Sequence, residues 1–281
     1  MCFHAAPGGG YELRGNRKRI ATASTAAMAA AMMAAGAAAH ATVPRQVGSL
    51  RYTSTVPGAS TGLALDFKFQ NPDGPGLKPH TVKTLVVHAP PGGAIDTTVP
   101  PQCHATDAEL MALGPSACPA ETKVGQAYAI SDTGSSGPFP RYTRTDITEF
   151  NNQDEVVAVG VNEDIPALKP VDRTKIEGDH TTTNFPLFPG GPPPEPYSAF
   201  RELHFSFSPY ARAGRPYNHT PPTCPSVGYW RMVLDFTYVD GVTESVNSDS
   251  PCQRPKPPAK KHRKHRKHHH RRHREREDSP D

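Results

Sequence analysis

Thr220–Cys252 reads TPPTCPSVGYWRMVLDFTYVDGVTESVNSDSPC, and this stretch decides the fold class. Trp230, Met232, Leu234, Phe236 and Tyr238 alternate with Arg231, Val233, Asp235, Thr237 and Val239. A period of two places the large residues on one face of a strand. Asp240-Gly241 follows, a pair that tolerates the positive φ of a tight turn. Val242–Val246 can then return as the partner strand of a hairpin. Cys224 precedes the first strand and Cys252 follows the second, so the hairpin would bring both to its open end, within disulfide reach.

Similar short alternating runs fill the chain upstream. Leu63, Leu65, Phe67 and Phe69 alternate with Ala64, Asp66 and Lys68, the pattern of a half-buried strand. Ser49–Val56, Val82–Val87, Val124–Ile130, Ile147–Phe150 and Glu155–Val161 also read as strands. Phe200, Leu203, Phe205 and Phe207 form another, with His204 and Ser206 facing outward. Pro57-Gly58, Asn71–Gly76 and Pro90–Gly93 are turn clusters. One segment differs: Thr106 with Glu109 makes a capping box, which predicts a helix over Asp107–Leu113, ended by Gly114-Pro115. Asp164–Pro196 is long and polar, and reads as a surface excursion that has room for a strand near Thr174–Asp179. About ten short strands and one brief helix predict a mainly β protein, an antiparallel β-sandwich or jelly-roll-like domain. Some 210 residues, 42–252, suffice for one core; two subdomains divided near Asp164 are the alternative.

The N-terminal segment reads differently. Arg14, Arg17, Lys18 and Arg19 are followed by an Ala-rich apolar run, Ile20–Ala39, and then by Ala39-His40-Ala41. A basic region, an apolar region and a small-x-small site are the parts of a secretory signal peptide, here predicted to span 1–41 and be cleaved before Thr42. The exported body then holds four cysteines, Cys103, Cys118, Cys224 and Cys252, in an oxidising compartment. Four cysteines allow three pairings. The local ones, Cys103–Cys118 and Cys224–Cys252, are preferred; the first would close a loop worth about 3 kcal/mol in the chain-entropy model.

Charge is divided along the chain. Residues 42–252 carry 15 Lys+Arg and 22 Asp+Glu, net −7, whereas 253–281 carry 12 and 4, net +8. The tail is too charged and Pro-rich to fold alone, so it reads as a disordered arm. Lys260, Lys261, Arg263, Lys264, Arg266, Lys267, Arg271 and Arg272 are its candidate polyanion-binding residues. An exported arm meets anionic envelope polymers or lipid headgroups before it meets nucleic acid, which is therefore not expected as the main partner. His268, His269 and His270 are candidate weak ligands for a divalent metal; no other cofactor is indicated.

A series of motifs resembles a family of uncharacterised exported actinobacterial proteins. It comprises Pro90-Pro91-Gly92, Val99-Pro-Pro-Gln-Cys103, Ala117-Cys-Pro-Ala-Glu-Thr-Lys-Val-Gly125, Phe188-Pro-Gly-Gly191, Thr220-Pro-Pro-Thr-Cys-Pro225, Trp230, Phe236–Gly241 and Ser250-Pro-Cys252. The resemblance implies secretion, paired cysteines and a β-rich body, and carries over no activity and no catalytic residue.

Zinc-protease, P-loop and dinucleotide-binding motifs are all missing. Asp154-Glu155 and Glu163-Asp164 lack the alternating oxygen ligands of a calcium loop and read as solvated carboxylates. Trp230 heads the apolar stripe and reads as core rather than as a sugar platform. The expectation is a non-enzymatic, envelope-associated exported protein. The alternatives are a carbohydrate-binding module or hydrolase, which needs an exposed aromatic row or a carboxylate pair in a cleft, and a metal-sequestering protein acting through the His-rich tail.

Overall fold

The structure, a computed structural model, describes residues 43–134 and 140–254. Fifteen strands are present among them: β1 Gln46–Tyr52, β2 Leu63–Phe69, β3 Val82–His88, β4 Ala94–Ile95, β5 Lys123–Asp132, β6 Tyr142–Asn152, β7 Glu155–Asn162 and β8 Val171–Glu177, followed by β9 His180–Asn184, β10 Ala199–Phe207, β11 Ala211–Arg212, β12 Arg215–Pro216, β13 Asn218–His219, β14 Tyr229–Tyr238 and β15 Thr243–Pro251. The one α-helix, α1, spans Asp107–Leu113. The protein is mainly β with one short helix, as its alternation and its capping box predict.

Eleven strands form a single antiparallel sheet in the order β1-β2-β10-β5-β6-β7-β8-β9-β3-β14-β15. The sheet curls until its two edge strands meet. There, Leu50 and Tyr52 of β1 donate their N–H groups to the hydroxyls of Ser248 and Ser250 of β15, both at 2.9 Å. The two layers expected of a sandwich are thus facing walls of one nearly closed sheet. Closure hides the edges that an open sheet would offer to other chains. Strands from both sides of Asp164 alternate in it, since β10 lies between β2 and β5.

The organising hairpin is β14–β15, with Trp230 opposite Ser250 and Thr237 opposite Thr243. Its turn places Gly241 at φ +86°, a conformation glycine adopts without a Cβ clash. The stripe from Trp230 to Tyr238 faces the core, and Trp230 is only 1% exposed. Phe67 and Phe69 of β2 pack against Phe236, with ring centroids 5.1 and 5.9 Å apart. Cys224 and Cys252 are bonded across the open end, Cα atoms 5.6 Å apart.

A second, smaller core lies on the outer face of β7. Leu110 of α1 packs there with Val157, Val159, Phe150 and the Cys103–Cys118 disulfide. Val156 meanwhile points into the main core. Burial on both faces explains why this strand is a nearly continuous apolar run. The capping box is formed, with Glu109 accepting from the Thr106 N–H and Thr106 Oγ1 accepting from the Glu109 N–H. Arg173 of β8 ties the helix down through Asp107 at 2.8 Å, and also bonds Glu155.

Two expectations need correction. The Asp164–Pro196 region is not a surface excursion: β8 and β9 lie within it and join β7 to β3. The first strand runs Gln46–Tyr52 rather than Ser49–Val56: Thr53 still donates its N–H to the Gly62 carbonyl, but the Gly62 N–H turns to Thr53 Oγ1 and the Ser54 N–H to Thr61 Oγ1, which ends the ladder. The leader predicted over 1–41 and the tail beyond Arg254 lie outside the described residues.

Candidate functional site

The interior of the curled sheet is lined unevenly. β1, β2, β3, β10 and β14 send in Tyr52, Phe67, Leu85, Phe207, Trp230 and Phe236, which fill their half. β5 to β9 send in Ile147, Val156 and Ile176, but between these stand mostly short residues, Ala127, Ala129, Thr145, Ala158, Thr174, Thr181 and Thr183. Such short side chains do not reach across, and close packing fails where no longer one replaces them. A cavity of about 150 Å³ remains, lined by Leu50, Tyr52, Leu85, Ile147, Phe205 and Met232 on its apolar side. The β4–β13 pair contributes Ala94, Ile95 and Asn218 to one end of it. Toward the other end a hollow of about 490 Å³ shares Ile147, Asp172, Phe185 and Leu203 with it, and is bordered by residues 162–170 and 186–191.

Two carboxyl groups project into this space. The register pairs Glu149 of β6 with Ala158 of β7, and Ala158 with Asp172 of β8. The three therefore form one row on the inner face, with the outer two Cα atoms about 10 Å apart across two strand spacings. Ala158 leaves the room between them open. Glu149 is 8% exposed. Its Oε2 and the Oδ1 of Asp172 are enclosed and have no hydrogen-bond partner among the described residues. Neither do the Tyr217 hydroxyl and Asn218 Nδ2. Burial pushes the Glu149 carboxyl up to about 8, with the neighbouring Asp172 charge adding to it. Asp172 is half-buried as a residue, but its carboxyl is enclosed, and this alone pushes it up to about 7. The Tyr217 phenol is raised as well, first by burial and then by Glu149. Gly125, opposite Glu149 on β5, makes room for this carboxyl: a Cβ there would sit 2.7 Å from Glu149 Oε2 and 2.2 Å from Phe207 Cδ1.

The segment bordering the hollow is held by buried charge. Lys78, 3% exposed, donates from Nζ to the carbonyls of Gly191, Glu195 and Tyr197 at 2.7, 2.6 and 2.5 Å. Asp132, fully buried at the end of β5, accepts from Arg201 at 2.8 Å and from Arg141 at 3.2 Å. His80 bonds Glu195 at 2.7 Å, and Asp240 lies near enough to complete a three-ligand group. Arg45, however, already sits on Asp240 with two bonds of 3.0 and 2.8 Å, and the Thr81 N–H donates to Glu195. That group is satisfied as an ion-pair network.

Other residues singled out in the sequence have ordinary partners. Glu155 pairs with Arg173, Glu163 with Arg144, and Asp164 accepts from Thr143. His204 faces outward as expected and stacks on Tyr128, ring centroids 4.4 Å apart. Tyr217, in an irregular stretch of sequence, is core. Tyr142 is the only large exposed aromatic among the described residues, so there is no aromatic row. The candidate polyanion residues Lys260 to Arg272 and the candidate ligands His268, His269 and His270 lie outside the described residues. No protein-family model, curated protein or solved structure matches the chain.

Sequence reasoning missed Glu149 and Asp172. The signal for Glu149 was the spacing Thr143, Thr145, Ile147, Glu149, which continues one inward face by twos. Asp172 had no such signal, since the residues inward of it on β8 and β9 are mostly threonines.

Proposed function

We propose that this is an exported, non-enzymatic binding protein whose curled sheet encloses a small, mostly apolar molecule, and whose basic arm retains it at the anionic cell envelope. The observation that carries the binding reading is the cavity inside the curled sheet, with orphaned polar atoms on its wall. Buried polar groups without partners are rare, and each calls for an explanation. A volume near 150 Å³ is the size of an apolar cavity that accepts a benzene-sized guest.

The carboxylate row also raises the hydrolase alternative. Acid–base hydrolysis works best when one carboxyl is kept protonated and the other ionised, by environments that push their pKa values apart. Here the same cause, burial, raises both. That favours binding over turnover.

Tyr52 lines the cavity and packs edge-on against Trp230, ring centroids 5.8 Å apart. Titration of the full chain with benzyl alcohol, followed by fluorescence of this single Trp, is expected to give a saturable change. A linear response up to the solubility limit counts against an internal site. For the arm, deletion of Arg254–Asp281 is expected to release the protein from washed envelopes at low salt. Unchanged retention removes the anchoring claim.

A further inference from the structure

We propose that the Glu149–Asp172 row recognises an organic ammonium ion, so that the cavity takes a small apolar amine in preference to a neutral molecule; this rests on the binding function proposed above. Four observations converge on it. First, both carboxyl groups project into the cavity and keep an enclosed oxygen unpartnered. Second, among the described residues no Lys or Arg lines the cavity or the adjoining hollow. The row thus has no internal counter-charge; the other titratable groups lining the two spaces are Tyr52, Asp164, Asp179 and His180, and the Tyr217 phenol lies close to Glu149. Third, Ala158 holds the two carboxyls apart and leaves space between them for a head group. Fourth, the rest of the lining is aliphatic and aromatic, which suits a hydrocarbon body.

A metal ion is a poorer fit. Calcium takes six to eight oxygen ligands and magnesium demands a near-octahedral shell, whereas the row offers two carboxyls against an apolar wall. An alkylammonium needs only acceptors for its three N–H groups and a place for its carbons. Burial raises both carboxyls, so at pH 6 the unligated row holds its protons, and a cation in contact favours the charged form. Binding therefore ionises one carboxyl: its proton goes to solvent, and a carboxylate–ammonium pair is left in the cavity.

The test uses the full chain, with hexylamine, hexanol and hexanoate as probes, by calorimetry at pH 6 in two buffers of different ionisation enthalpy. Hexylamine is expected to bind at least tenfold tighter than hexanol, with release of close to one proton per amine. In Glu149→Gln/Asp172→Asn the two probes should bind equally; a near-ultraviolet circular dichroism spectrum matching the parent's reports that the variant is folded. Glu149→Gln alone should show an intermediate preference. Equal binding of amine and alcohol by the parent overturns the ammonium site and leaves the cavity reading standing. So does an amine preference that survives in the double variant, or one with no proton release. Binding of none of the three overturns both readings, and a preference for hexanoate overturns the assignment of charge.

Discussion

Ser248 and Leu50 exchange two hydrogen bonds across the seam of the sheet. The Leu50 N–H donates to Ser248 Oγ at 2.9 Å, and the same hydroxyl donates to the Leu50 carbonyl at 2.7 Å. One side chain thus satisfies both backbone groups that Leu50 turns away from β2. Ser250 does half as much, accepting from the Tyr52 N–H. Further along, the carboxylate of Glu244 accepts from the Arg45 N–H. The first and last strands of the sheet are therefore joined by side chains over much of their length, and closure depends on short polar residues at defined positions of β15.

Ser248→Ala should accordingly cost more than its size suggests. It leaves a buried N–H and a buried C=O unpaired, at about 1–3 kcal/mol each. Ser250→Ala leaves one such group and should cost roughly half as much. Urea unfolding of the two variants checks the ratio; equal, small losses would mean that the seam is closed by packing alone.

The two disulfides should differ in how readily they are reduced. Cys103 and Cys118 are buried under α1, 1% and 7% exposed, while Cys224 and Cys252 are half-buried at the end of the hairpin. Thiol–disulfide exchange needs access for the attacking thiolate. Graded reduction followed by alkylation and peptide mass spectrometry is expected to label Cys224 and Cys252 first.

Stability should fall as pH rises from about 5 to 8. Glu149 and Asp172 have folded-state values near 8 and 7, above the ordinary carboxyl range of about 4. In that window the folded state holds protons that the unfolded state has lost, so the slope of stability with pH is negative. Glu149→Gln removes a titrating group and should gain on the parent as pH increases, with little difference near pH 5. Asp132 acts in the opposite sense: burial works to raise it, but hydrogen bonds from Arg141, Gly134 and Arg201 outweigh burial and hold it low. Its contribution is present above about pH 4 and is lost as pH falls through its depressed folded value. Thermal unfolding across pH 3–9 would show both limbs; a flat profile for the parent above pH 5 contradicts the buried carboxyl pair.

Where the inward face carries large residues, the fold was legible. The alternation of β2 and β14 and the capping box of α1 each reflect one local rule, and the structure keeps their boundaries to within a residue. β8 was legible only in part, as a strand near Thr174–Asp179, and β9 not at all, because apart from Ile176 their inward residues are Asp172, Thr174, Thr181 and Thr183, too polar a row to show a hydrophobic period. The same property hid the cavity: the wall that leaves space is the one where Ile147, Val156 and Ile176 are outnumbered by Ala and Thr. Nor could a linear reading bring Glu149 and Asp172 together, since the register of β6, β7 and β8 sets them in one row. The Ser248–Leu50 contact likewise joins residues 198 positions apart.

Lys78 offers a way to loosen the border of the hollow without disturbing the sheet. Burial lowers its pKa, the charges of Glu195 and Asp132 work against that, and its ammonium spans three carbonyls of the 191–197 segment. Methionine keeps the length and removes the three donors. The carbonyls of Gly191, Glu195 and Tyr197 then lose a charge-assisted partner, a class of bond worth about 1.5–3 kcal/mol. The ladder from β1 to β15 is untouched, so most of that loss should appear locally. Limited proteolysis of Lys78→Met is expected to open a cleavage site within residues 186–198 at least tenfold faster than in the parent, with thermal unfolding of the rest shifted by only a few degrees. A fully cooperative loss of stability, with no new cleavage site, would instead make Lys78 part of the main folding unit.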